Sequence, residues 1–270
     1  GSSSYLLKKE YSTLLTGRNL TFEVFPLSFR EFLEFKNIGI NLSNLKKSLI
    51  LERDKYKIIK FMIEYLNIGG FPAVFFQEKD FKTKILSQYF DDILYKDIID
   101  RYNLINSQKV KDLAIYLLTN FTGEISLRNL RNSLGLSYES IKDYLSYFKE
   151  AFLFFTIDHF SYSMKEQKSN PSKVYCIDNG LRNAVSFKFS KDEGKLAENL
   201  VAVELKRREQ DLFYWKEKTE VDFIIKNRDN SLTGINVSYT DNINEREIIS
   251  LKDFKNEFIK TKKLIILTKD

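Results

Sequence analysis

The chain of 270 residues holds one cysteine, Cys176, and one histidine, His159, and these scarcities exclude a good deal. A lone cysteine cannot close an intrachain disulfide, which fits a reducing, cytoplasmic setting. A lone histidine rules out a His-rich zinc centre, and its place after an apolar run suits a packed residue at a strand end. No apolar stretch approaches the ~20 residues that span a bilayer, the longest candidate being Ala151–Ile157, so no membrane partner is expected. No secretory signal pattern opens the chain. Nor is there a Gly-x-x-x-x-Gly-Lys-[Ser/Thr] loop, the run of backbone amides that cradles phosphates at a helix N-terminus. The chain as written is therefore expected to bind no ATP and no metal of its own. Neither sign of charge dominates: 43 Lys and Arg against 37 Asp and Glu leave +6, interleaved along the chain. That balance permits contact with nucleic acid without requiring it.

What is present falls into four stretches. Over residues 1–37, a strand pattern at Leu20–Phe25 leads through Pro26 to a helix start, where Ser28 and Glu31 have capping-box spacing. Residues 38–105 read as helices: apolar groups recur at helical spacing over Leu51–Leu66 until Gly69-Gly70-Phe71-Pro72, then again over Phe81–Tyr102. Residues 106–177 give three shorter helices, with Ser126 and Ser137 as N-caps and a tight turn at Gly135. Strands at Ala151–Phe160 and Lys173–Ile177 follow, joined by a polar segment, 161–172. This is the winged-helix pattern, with the polar segment as its wing. Arg128, Arg131 and Lys142 on the helices, with Lys165, Lys168 and Lys173 around the wing, are the candidate phosphate contacts. The outward positions of the third helix also carry Glu139 and Asp143, so weak, sequence-tolerant DNA binding and plain protein packing stay open as alternatives.

Residues 178–270 carry the most informative pattern. A helix over Gly194–Leu205 bears Glu198, and a meander follows at Phe213–Trp215, Glu220–Ile225 and Gly234–Tyr239, with Asp222 on its second strand. A helix near 245–260 and the apolar strand Leu264–Leu267 complete the region.

Two resemblances rest on these residues. The helix with Glu198, the strand with Asp222 and the strand after it resemble the PD-(D/E)XK nuclease superfamily. That superfamily places an acid on a helix, Asp on a strand and Glu-x-Lys on the next; here the last motif reads Asn236-Val-Ser238. The resemblance implies a restriction-endonuclease-like α/β scaffold in which Glu198 and Asp222 are vestigial catalytic positions, because an amide and a hydroxyl replace a metal-binding carboxylate and the lysine. An active metal-dependent endonuclease using Glu198, Asp222 and Glu204 is the rival reading.

The run from Gly1-Ser-Ser-Ser4 through Gly17-Arg18 to Pro26-Leu-Ser-Phe-Arg-Glu31 resembles the distal part of the ATPase core in prokaryotic, largely archaeal, AAA+/STAND-type ATPases. It implies that Ser3 and Arg18 are nucleotide-sensing residues. It also implies that residues 38–105 form a helical lid, and that a full-length parent uses ATP and Mg²⁺. The expected architecture is α+β and multidomain: an ATPase remnant, a helical segment, a winged helix and a truncated nuclease-like domain. Expected partners are DNA, the chain's own ATPase half or another protein, with an oligomer or a pure assembly role open.

Overall fold

The computed structural model describes residues 22–38, 52–186, 192–240 and 242–269. Ser3 and Arg18 lie outside them. Helix α1, Phe29–Phe35, begins where the sequence places it: Glu31 N–H donates to Ser28 Oγ at 3.3 Å, and Ser28 N–H donates back to Glu31 Oε2 at 2.7 Å. Helix α2, Glu52–Ile68, stops at Gly69, which turns the chain with φ of 73°. The long helix expected over Phe81–Tyr102 is interrupted. It runs as α3, Lys79–Asp92, and then widens to a π-helix over Ile93–Ile99, in which Asp100 N–H reaches back five residues to Tyr95 O.

Helices α4, Ser107–Thr119, α5, Leu127–Leu134, and α6, Tyr138–Glu150, follow with both serine caps in place and Gly135 left-handed between α5 and α6. Strand β1, Phe154–His159, pairs antiparallel with β2, Lys173–Cys176. The intervening polar segment is not a bare wing, because it folds into α7, Met164–Ser169. Ser163 caps α7, and Ser161 Oγ donates to Glu166 at 2.5 Å, so Ser163-x-x-Glu166 was a start signal within the loop.

After the short α8, Asn179–Val185, comes α9, Glu193–Arg207. Then follow β3, Leu212–Lys216, β4, Glu220–Lys226, β5, Leu232–Ser238, α10, Glu245–Glu257, and β6, Thr261–Thr268. The six strands form one mixed sheet in the order β2-β1-β3-β4-β5-β6. β3, β4 and β5 make the antiparallel meander, and β6 lies parallel to β5. β1 runs parallel to β3 through Asp158↔Phe213 and His159↔Tyr214. The hairpin that the sequence suggests as a wing is thus the edge of the C-terminal sheet, continuous across residue 177.

Strand alternation sorts the side chains into two layers. Tyr175, Tyr214, Phe223, Ile225 and Ile235 pack with Ala202 of α9 on one face, and Trp215, Val221, Ile224 and Leu232 pack with Leu251 and Phe254 of α10 on the other. Val174 and Cys176 of β2 turn instead into a large helical core with Phe90, Leu94, Leu113 and Phe148. His159 ends β1, buried, with Nε2 3.3 Å from Lys216 O. Among the described residues, no helix is long and apolar enough to cross a membrane.

Candidate functional site

Because Val174 and Cys176 point into the helical core, alternation sends Lys173 and Tyr175 to the α9 face. There they meet Glu198, whose Oε1 accepts from Tyr175 Oη at 2.9 Å and from Lys173 Nζ at 3.3 Å. Lys173 Nζ also lies 2.5 Å from Glu220 Oε1 and 5.5 Å from the centre of the Tyr214 ring, and the residue is only 3% exposed. Glu220 has a second cation, Lys216, at 3.4 Å, which bonds Glu124 at 2.8 Å. Lys173 is therefore not a surface contact for phosphate, as its place beside the wing suggested. It is the buried cation of an acidic cluster.

The electrostatics follow from that burial. Desolvation alone would lower the Lys173 pKa, but Glu198, Glu220 and Asp222 together raise it above the ordinary lysine value. Burial pushes Glu220 up, yet Lys173 and then Lys216 more than offset this and hold it low. Asp222 behaves oppositely. Burial and the neighbouring Glu198 raise it well above the usual carboxylate range, against the opposing pull of Lys173. Asp222 Oδ2 accepts from Val237 N–H at 2.8 Å, so the side chain is fixed against β5.

The pair replacing Glu-x-Lys stands elsewhere. Asn236 is fully buried on the α10 face, where Nδ2 donates to Glu247 Oε2 at 2.7 Å and Ser250 Oγ at 2.8 Å, and Oδ1 accepts from Asp222 N–H at 3.1 Å. Ser238 shares that strand parity and lies 3.1 Å from Thr240 Oγ1. Ile235 and Val237, not these two, face α9, packing with Ala202 and Leu205. Glu204 stands apart from the cluster, engaged by Arg208 at 2.7 Å and Arg207 at 3.3 Å. Among the described residues, no group of three or more His, Cys, Asp or Glu side chains is arranged to hold a metal ion.

The remaining basic candidates are on the surface. Arg128, Lys142 and Lys165 are exposed; Arg131 lies over the Tyr138 ring at 5.1 Å, and Lys168 pairs with Asp158 at 3.0 Å while 68% of its side chain stays exposed.

A second polar centre escaped the sequence reading as a site. Asp178 caps α8 through Leu181 N–H at 3.1 Å and accepts from Gly70 N–H at 2.6 Å across the chain. A Cβ on Gly69 would lie 2.0 Å from Asp178 Oδ1, and one on Gly180 2.1 Å from Ile68 O, so both glycines are required by close approach. Burial raises the Asp178 pKa to about 6 despite these backbone donors. The signal was present as Gly69-Gly70 and Asp178-Asn-Gly180, separated by more than a hundred residues.

Known proteins match the chain in three consecutive parts. A family described as an AAA domain matches residues 1–33. Two described as Domain of unknown function, DUF8612 and DUF4143, match residues 59–192 and 193–270. The likeness to an AAA domain is thus confined to the first 33 residues. An uncharacterized protein of Methanocaldococcus jannaschii is 38% identical over 277 aligned residues, covering 97% of this chain and 60% of that protein. An uncharacterized protein of Haemophilus influenzae is 30% identical over 275, covering 100% of this chain and 64% of that one. The chain thus spans under two thirds of the length of these relatives. No solved structure gives a significant match.

Proposed function

We propose that this chain is the C-terminal region of an AAA-type ATPase and acts as a DNA-binding module whose nuclease-like domain does not cleave. Support for the ATPase parentage comes from the match over residues 1–33. Support for a restriction-endonuclease-like ancestry comes from the order α9, three-strand meander, α10, parallel β6, with Glu198 and Asp222 on the first helix and second strand of that unit.

One observation carries the non-catalytic reading. The cation among these carboxylates is Lys173, buried and bonded to Glu198 and Glu220, while Asn236 is committed to α10. The nuclease pattern also has a lysine among its acids, so the weight falls on Asn236, a neutral amide turned to α10 that offers a metal no carboxylate. Contact with nucleic acid would run through phosphates at Arg128, Lys142, Lys165 and Lys168, giving weak, sequence-tolerant and salt-steep affinity. The full-length parent would use ATP and Mg²⁺ at the ATPase core and work in the cytoplasm.

The test is incubation of the chain with linear, branched and single-stranded DNA in Mg²⁺ or Mn²⁺, together with duplex binding at several salt concentrations. No cleavage is expected, and replacing Lys142, Lys165 and Lys168 together should weaken binding and flatten its salt slope. Cleavage that disappears in Asp222→Ala would install the second reading, a metal-dependent endonuclease using Glu198 and Asp222. Salt-independent or absent DNA binding would assign the module to a protein partner instead.

A further inference from the structure

The three parts matched by separate families meet at one small surface depression, whose walls include Pro26, Tyr65, Gly69, Asp178, Val203 and Arg207. Within it, the ATPase-matched segment is bonded on both sides. Arg207, the last residue of α9, donates through Nη2 to Pro26 O at 2.6 Å and places its guanidinium 5.3 Å from the centre of the Phe25 ring. Glu31 of the α1 cap lies 3.7 Å from Arg207 Nη1. Leu27 is held on the other side: its N–H donates to Gly70 O at 2.8 Å, and its carbonyl accepts from Tyr65 Oη at 2.5 Å. Gly70 N–H in turn reaches Asp178.

The same helix carries Glu198, nine residues before Arg207 and so roughly 13 Å along a rigid rod. The next residue, Asn199, is buried and fixes the helix to β2: Oδ1 accepts from Cys176 N–H and Nδ2 donates to Cys176 O, both at 2.9 Å. Strand β2 supplies Lys173. One unbroken set of directional contacts therefore runs from Pro26 through Arg207 and α9 to the Glu198–Lys173 pair.

We propose that Arg207 is a latch through which the position of the ATPase-matched segment sets the position of α9, so that movement of the ATPase core is felt at the Glu198–Lys173 cluster. This names the regulation of the module proposed above and rests on that reading for its trigger. The contact itself can be tested in the chain alone, so its failure is distinct from a failure of the ATPase parentage, which nucleotide turnover by a longer relative would reveal.

The experiment is amide hydrogen exchange on the unmodified chain and on Arg207→Met, Arg207→Lys and Glu31→Gln, with the β4–β5 amides as the gauge of global opening. In Arg207→Met, exchange should rise about tenfold or more, the equivalent of one charge-assisted hydrogen bond, both at 22–31 and in the first half of α9, while β4–β5 stays unchanged. Arg207→Lys should recover part of the protection, and Glu31→Gln should change little, because its ion pair is long. Faster exchange at 22–31 alone would show that α9 does not follow the segment. No change at either place, or an equal rise throughout including β4–β5, would likewise overturn the latch.

Discussion

Replacing Lys173 by methionine keeps the length and bulk of the side chain while deleting the buried ammonium. Lys173 contacts Glu220 at 2.5 Å and Glu198 at 3.3 Å from a position 3% exposed, so the variant leaves two carboxylates short of their main counter-charge. Removing one member of a buried ion pair costs about 3–5 kcal/mol. The low end applies here, because Glu220 keeps Lys216 at 3.4 Å and Glu198 keeps the Tyr175 hydroxyl. A loss of about 3 kcal/mol would lower Tm by roughly 6–12 °C in a chain of this size. Urea titration at several pH values is the assay.

The sign of the pH dependence gives a sharper check. In the unmodified chain the Glu220 pKa is lowered, so its stabilisation is present above the unfolded carboxylate value of 4.5 and lost as pH falls through the folded one. In Lys173→Met the main offset to burial is gone and Glu220 keeps only Lys216 to hold it ionised. The gap between the two proteins should therefore be widest near neutrality and close below about pH 4. Adding Glu220→Gln should restore part of the loss. A cost under about 0.5 kcal/mol, as expected for a surface residue, or a gap independent of pH, would refute the buried-cation account.

Two further predictions concern Asp178 and the Asn236–Ser238 pair. Asp178 has a folded pKa raised to about 6 from 3.8, so its stabilising effect is fully present below the unfolded value and lost as pH rises through 6. Between pH 4 and 6 the chain should lose about 3 kcal/mol from this group; urea midpoints in Asp178→Asn should lack that slope, and an identical slope would refute the assignment. Converting Asn236→Glu and Ser238→Lys, which the nuclease pattern suggests as a repair, should instead cost about 3 kcal/mol or more. The new carboxylate would meet Glu247 where Asn236 Nδ2 now donates at 2.7 Å. Urea titration measures the cost, and a double variant as stable as the unmodified chain would contradict the orientation of β5.

Local signals made much of the fold legible, because caps and periodicity act within a few residues. Ser28, Ser126 and Ser137 each cap the helix that they announce, and Gly69 and Gly135 end helices with positive φ. Sheet membership is a different kind of information. Nothing near Asp158 states that it will lie beside Phe213, so a hairpin that reads locally as a wing becomes the edge of a distant meander. Lys173 shows what that does to a functional reading. By sequence it belongs with Lys165 and Lys168, eight and five residues away. The parallel pairing of β1 with β3 carries the antiparallel β1–β2 hairpin to the α9 side, and two-residue alternation then points Lys173 inward with Tyr175. The same alternation decides β5: the apolar Ile235 and Val237 claim the α9 face, so Asn236 must turn to α10, whatever the motif alignment implies. The acid positions were readable as types in order, whereas the cation that answers them could be found only after the strands were paired.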